Sequence, residues 1–133
     1  MFFAEMARGT TKGMYTIRKF FDFSASHQLD HLPAGHQCKR LHGHNYQVEL
    51  VLRSSTLDQR GFVVDYGDLA DFGEFLKQTF DHRHLNQVVD FPTTAENLAR
   101  FLYDWAEARW SQVAAVRVSE TPKTWAEYSK EVY

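Results

Sequence analysis

The run HGHNYQVELVL, residues 42–52, decides how this chain folds. Its apolar residues Tyr46, Val48, Leu50 and Leu52 recur at every second position, the period of a strand with one buried face. The same parity carried backwards includes His44 and His42, so two imidazoles point where the core residues point. Upstream, Tyr15, Ile17, Phe21, Phe23 and Ala25 share one parity while Thr16, Arg18, Asp22 and Ser24 mostly fill the other, and His27 continues the inward row. Two strands therefore bring three histidines to one end of one face. Between them, residues 31–40 (HLPAGHQCKR) contain Pro33 and Gly35, which interrupt any ladder and make a long loop.

Downstream, a turn near residues 58–61 precedes Phe62-Val63-Val64, which reads as a short strand ending at Asp65. Asp65 is placed to cap a helix with Leu69, Phe72, Leu76 and Phe80 on one face, ending near Asp81. A second helix is expected after Pro92. Thr93 and Glu96 have capping-box spacing there, and Leu98, Phe101, Leu102 and Trp105 form its apolar stripe. Two more strands follow, one with Ala114, Val116 and Val118 inward and the other with Ala126, Tyr128 and Val132, joined by a turn at Pro122. Strands grouped apart from helices, in the order ββααββ, predict an α+β domain: a four-stranded antiparallel sheet with two helices on one face. Residues 1–13 show no period and read as a loose N-terminal arm, leaving residues 14–133 as a single domain.

Composition narrows the function. The 133 residues are 44% apolar, enough for one real core. Lys and Arg total 15 against 17 Asp and Glu, a formal charge of -2 with no basic block, which argues against nucleic acid as a partner. No apolar run approaches the roughly 20 residues of a membrane span, and residues 1–13 lack the pattern of a signal peptide, so no membrane is expected and the default is cytoplasmic. A single cysteine, Cys38, excludes an intrachain disulfide.

Three neutral imidazoles form a common zinc set that leaves a fourth position open, and burying them without partners would be costly. Zinc ligation by His27, His42 and His44 is therefore favoured over three isolated core histidines. Cys38 lies four residues before His42 with Lys39 and Arg40 adjacent. Such cations raise the thiolate fraction, which suits a base or nucleophile. The thiol can equally be structural, or a fourth ligand closing the zinc site. Asp81 beside His82 offers a carboxylate to orient an imidazole, while a histidine at a helix C-terminus also has a plain electrostatic reason to be there. Glu120 shares the parity of Val116 and Val118, ending an inward row. There it either meets a planar ligand with two N–H donors or simply reaches solvent.

Taken together, FSASH at 23–27, C-x3-HGHNY at 38–46, Asp81-His82 followed by Leu85-Asn86, T-x-E-N-L-A at 94–99 and S-E-T at 119–121 resemble the 6-pyruvoyltetrahydropterin synthase family. The loop G-H-x-C-x-R-L-H-G-H, residues 35–44, is most similar to that of the family's bacterial 6-carboxytetrahydropterin synthase branch, which acts in queuosine precursor synthesis. The resemblance implies a zinc-dependent carbon–carbon lyase. It would convert 7,8-dihydroneopterin triphosphate to 6-carboxy-5,6,7,8-tetrahydropterin with release of acetaldehyde and triphosphate. It implies zinc on His27, His42 and His44, Cys38 as proton acceptor, Asp81 and His82 as relay partners, and Glu120 as anchor of the pterin ring. Thr94 and Glu96 fall at further pterin-holding positions, with Ala95 departing from the polar residue common there. The fold it implies is the tunnelling fold, in which trimers close a β-barrel and two trimers stack into a hexamer. An alternative within the family is triphosphate elimination by a 6-pyruvoyltetrahydropterin synthase. Outside it, the alternative is a non-catalytic structural zinc module.

Overall fold

The computed structural model describes residues 13–130, an α+β arrangement built on one sheet. Strands β1 (Tyr15–His27) and β2 (His42–Ser54) pair antiparallel along their whole length, from Tyr15 opposite Ser54 to His27 opposite His42. Strand β3 is Arg83–His84, β4 is Val113–Thr121 and β5 is Thr124–Tyr128, and the order across the sheet is β3-β1-β2-β4-β5. Helices α1 (Ala70–Thr79) and α2 (Ala95–Glu107) cover one face. Their Phe72, Leu76, Leu98 and Leu102 pack with Phe23, Ala25, Tyr46, Val48, Leu50 and Leu52, all on the parity anticipated for the two long strands.

The sheet has five strands and is mixed, where four antiparallel strands were expected. The additional strand, β3, runs parallel to β1, with Ala25 opposite Arg83 and Ser26 opposite His84. Side chain and backbone stitch it there: Asp81 Oδ1 accepts the Ser24 amide at 2.9 Å and the His82 amide donates to Ser24 O at 2.6 Å. His82 itself sits at φ 58°, the left-handed region a non-glycine residue enters only when its surroundings hold it there. Two residues are too few to show a period, which is why sequence reading passes over β3.

Phe62-Val63-Val64 is a loop, not a strand. Asp58 takes the amides a ladder would use, its Oδ1 accepting from Arg60 N at 2.9 Å and from Phe62 N at 3.0 Å, while Gly61 at φ 88° closes the turn. Asp65 does cap the next element, accepting from Gly67 N at 2.8 Å, but the first turn is 3₁₀ over Tyr66–Leu69 before the α-helix begins, and that helix ends at Thr79. The cap of α2 is Thr94, whose Oγ1 accepts from Asn97 N at 3.2 Å, rather than Thr93. In β4 a bulge opposite Val51 and Leu52 inserts Ala114, so Val113 faces the core in its place. Thr121 and Thr124 flank the turn at Pro122 as expected, whereas Val132 and residues 1–12 of the anticipated arm lie outside the described residues.

The face away from the helices is charged. Glu49 is only 2% exposed there and is held by Arg18 Nη1 at 3.2 Å and Arg117 Nη1 at 2.9 Å, with the Arg117 guanidinium lying 4.7 Å from the centroid of Trp125. Among the described residues, β1 has no strand neighbour on its outer edge from Tyr15 to Phe23, and Phe20 there is 63% exposed.

Candidate functional site

Because His27 ends β1 and His42 begins β2 directly opposite, the antiparallel register alone brings these imidazoles together, and His44 joins them one pleat along. Their ligand-capable nitrogens lie within 4.8 Å of one another, with His27 fully buried. His27 Nδ1 is 2.9 Å from Thr93 O, and His42 Nδ1 is 2.6 Å from Arg40 O. A carbonyl oxygen only accepts, so each Nδ1 carries the proton and each Nε2 presents a lone pair.

Those two Nε2 atoms are 2.9 Å apart. Lone pairs facing across such a gap need a cation between them or a proton on one. Burial opposes a proton on His27, pushing it down to about 4 against the opposing pull of the Thr93 carbonyl, with His42 and His44 nearby adding to the fall. His44 is also lowered by burial, against the pull of the Glu120 carboxylate, and its buried Nε2 makes no aligned hydrogen bond although a Glu120 oxygen stands 3.0 Å away. Two imidazoles on one metal, each ~2 Å from it, put their nitrogens a little over ~3 Å apart, so these residues fit a metal ion with an open coordination position.

Glu120, near the end of β4, reaches the same cluster, with its Oε2 3.0 Å from His44 Nε2. Beneath them lies Tyr46, fully buried, its ring 5.4 Å from that of His44 and 6.0 Å from that of His27. Its hydroxyl has no hydrogen-bond partner, a state that typically costs about 1–3 kcal/mol. Burial raises the phenol above its ordinary range, and the neighbouring Glu120 carboxylate adds to the rise.

The model of the 6-pyruvoyl tetrahydropterin synthase family matches residues 16–131, which takes in every residue just described. The chain belongs to this family. Curated relatives named 6-carboxy-5,6,7,8-tetrahydropterin synthase match along most of its length. The one from Synechocystis is 32% identical over 122 residues, covering 86% of this chain and 93% of its own. The one from Bacillus subtilis is 30% identical over 128 residues, covering 86% and 84%. Among solved structures, the Caenorhabditis elegans 6-pyruvoyl tetrahydropterin synthase superposes with a TM-score of 0.79 at 27% identity, covering 90% of this chain and 98% of that one. This member of the family is an enzyme, since the relatives it matches over most of their length are named as synthases.

Within this 6-pyruvoyl tetrahydropterin synthase homologue the other anticipated residues are spread more widely. Cys38 sits half-buried on a 3₁₀ turn, Gln37–Lys39, in the loop before β2. That turn is capped by His36, whose Nδ1 accepts from Cys38 N at 3.1 Å. The thiol is not part of the three-histidine cluster. Asp81 Oδ2 holds His82 Nδ1 at 2.9 Å, and the Ser24 amide, followed by His82, keeps the Asp81 carboxyl below its usual range. His82 is 83% exposed and lines a groove shared with Ser24, Ser26, His44 and His84. Thr94 spends its hydroxyl on the helix cap and Glu96 is exposed in the first turn of α2. Thr93 is the residue that sequence reading missed in this role. It is buried, and its carbonyl and hydroxyl, at 2.9 and 3.2 Å, both face His27 Nδ1. The only signal was a threonine doublet after Pro92, which reads naturally as capping.

Proposed function

We propose that this enzyme converts 7,8-dihydroneopterin triphosphate to 6-carboxy-5,6,7,8-tetrahydropterin, releasing acetaldehyde and triphosphate, with zinc held by His27, His42 and His44. The observation that carries the reading is the convergence of three imidazole nitrogens with Nδ1 of His27 and His42 tied to backbone carbonyls, beside a carboxylate that reaches the same point. The names of the Synechocystis and Bacillus subtilis relatives support the 6-carboxy product over the 6-pyruvoyl one. A structural zinc module closed by Cys38 finds no support, because the thiol stands apart from the histidines.

Zinc, when bound, supplies a Lewis acid that makes the hydroxyls of the substrate side chain more acidic. Glu120 accepts two N–H bonds from the flat pterin ring and so fixes its orientation. Cys38, carried on the loop beside the first zinc-binding residue of β2, takes a proton from the side chain. Asp81 fixes the His82 tautomer by accepting from Nδ1, leaving Nε2 free to take and return protons in the relay. Thr94 and Glu96 stand at the start of α2, where they complete the pterin pocket. The open outer edge of β1, with Phe20 exposed beside it, is suited to pairing with another copy, in keeping with barrel-forming trimers stacked as a hexamer. The partner in this scheme is a small pterin triphosphate, the product feeds queuosine synthesis, and the setting is the cytoplasm. Among the described residues no helix is long and apolar enough to cross a membrane.

The test is product identification with zinc-loaded protein and 7,8-dihydroneopterin triphosphate. Acetaldehyde together with 6-carboxytetrahydropterin is expected. Formation of 6-pyruvoyltetrahydropterin in its place would overturn the reaction while leaving the family intact.

A further inference from the structure

Tyr46 presents a contradiction within the free protein. Its ring is packed as a core residue, stacked on Phe23 with centroids 4.7 Å apart and planes at 12°, and edge-on to His27 and His44. Phenylalanine would supply all of that packing. The hydroxyl adds only a buried donor with nothing to bond, so it becomes useful only in a state where an acceptor comes within reach.

Glu120 faces the complementary difficulty. Its Oε2 lies 3.0 Å from His44 Nε2, and that nitrogen, buried without an aligned hydrogen bond, is the one free to take a metal beside His27 and His42. Once its lone pair is given to a metal, Nε2 carries no proton for the carboxylate, and Oε2, 3.0 Å away, has no donor in His44. Glu120 is then a half-buried carboxylate short of a donor, and the Tyr46 phenol, whose ring packs on the same His44 at 5.4 Å, is short of an acceptor. The nitrogens of His27 do not help, since Nδ1 is already committed to Thr93 and Nε2 to the metal.

We infer that Tyr46 is a positioning residue for Glu120: in the metal-loaded, ligand-bound enzyme its O–H donates to the Glu120 carboxylate and fixes the orientation in which that carboxylate receives the pterin. This rests on the reading of Glu120 as the pterin anchor. No such bond exists in the free protein, so the hydroxyl contributes to ligand binding and not to folding.

The experiment uses the full chain, wild type and Tyr46→Phe, with neopterin as a fluorescent pterin probe. In metal-free protein the substitution should leave the melting temperature unchanged or raise it, because an unsatisfied polar group has been removed. Zinc content after loading should stay the same. The neopterin dissociation constant should rise about 10-fold or more, the usual worth of a hydrogen bond to a charged group, and substrate KM should move with it more than kcat. Adding Tyr46→Phe to Glu120→Gln should cause little further loss, since the two act as one unit. A fall of several degrees in the metal-free melting temperature would show that the hydroxyl already has a partner in the free protein, and would overturn the inference. So would neopterin affinity equal to wild type. If wild type and Glu120→Gln bind neopterin equally, the anchor reading of Glu120 fails and takes this inference with it, a result distinct from a failure confined to Tyr46→Phe.

Discussion

His27 and His42 face each other at 2.9 Å through their Nε2 atoms while each Nδ1 is held by a backbone carbonyl, Thr93 O for the first and Arg40 O for the second. The cross-strand register sets the distance, and the carbonyls set the tautomer. A cluster preorganised in this way could hold a metal ion with little rearrangement.

Removing one of three ligands from such a site leaves too few to hold the ion. His42→Ala and His44→Ala should each emerge from dialysis with well under one equivalent of zinc, measured by elemental analysis, while the wild type retains about one. Near-stoichiometric zinc in both variants would sink the ligand assignment.

The threonine doublet offers a sharper separation. Thr94→Ala removes the cap on Asn97 N and should cost about 1 kcal/mol of stability in denaturant titration with zinc content unchanged. Thr93→Val keeps the Thr93 carbonyl but loses the hydroxyl 3.2 Å from His27 Nδ1, so it should weaken zinc affinity, read by competition with a chelator. If both variants affected only stability, the assignment of Thr93 to the metal centre would fail.

That doublet also marks where sequence reading stops. Strand parity is a strong signal when a run is long, so the inward row from Phe21 to His27 and the row from His42 to Leu52 were both legible, and with them the meeting of three histidines. Features set by one or two residues were not. Whether Thr93 or Thr94 caps α2 depends on where the chain leaves Pro92, and both threonines are equally able to accept an amide. The inserted Ala114 exchanges the faces of β4 without altering its composition. Phe62-Val63-Val64 looks like a strand because its residues favour one, yet Asp58 has already taken the Phe62 amide. Glu120 lies near the end of β4, where its parity with Val116 and Val118 is readable, but its 3.0 Å approach to His44 is a tertiary fact with no local signature.

Glu120→Gln tests what that approach is for. Glutamine preserves shape but replaces one acceptor oxygen by a donor, so it cannot receive two N–H bonds from a pterin edge. The neopterin dissociation constant should rise by about 10-fold or more with zinc content little changed. Unchanged pterin affinity would move Glu120 out of ring recognition.

Cys38→Ala separates the two possible uses of the thiol. The sulfur lies outside the three-histidine cluster, on a 3₁₀ turn whose fold depends on His36 and backbone bonds and not on the thiol itself. Zinc content and melting temperature should therefore barely move. If the thiol accepts a proton from the substrate, product formation should fall by roughly the 10²- to 10⁴-fold that general acid–base catalysis supplies. A thiol that instead closed a structural zinc site would behave in the opposite way. Its loss would release metal and lower the melting temperature, because a structural zinc contributes directly to folding free energy. Zinc content, melting temperature and acetaldehyde release should be measured on one preparation so that the three values describe the same protein. Retained zinc with undiminished acetaldehyde release would refute the role of Cys38 as proton acceptor.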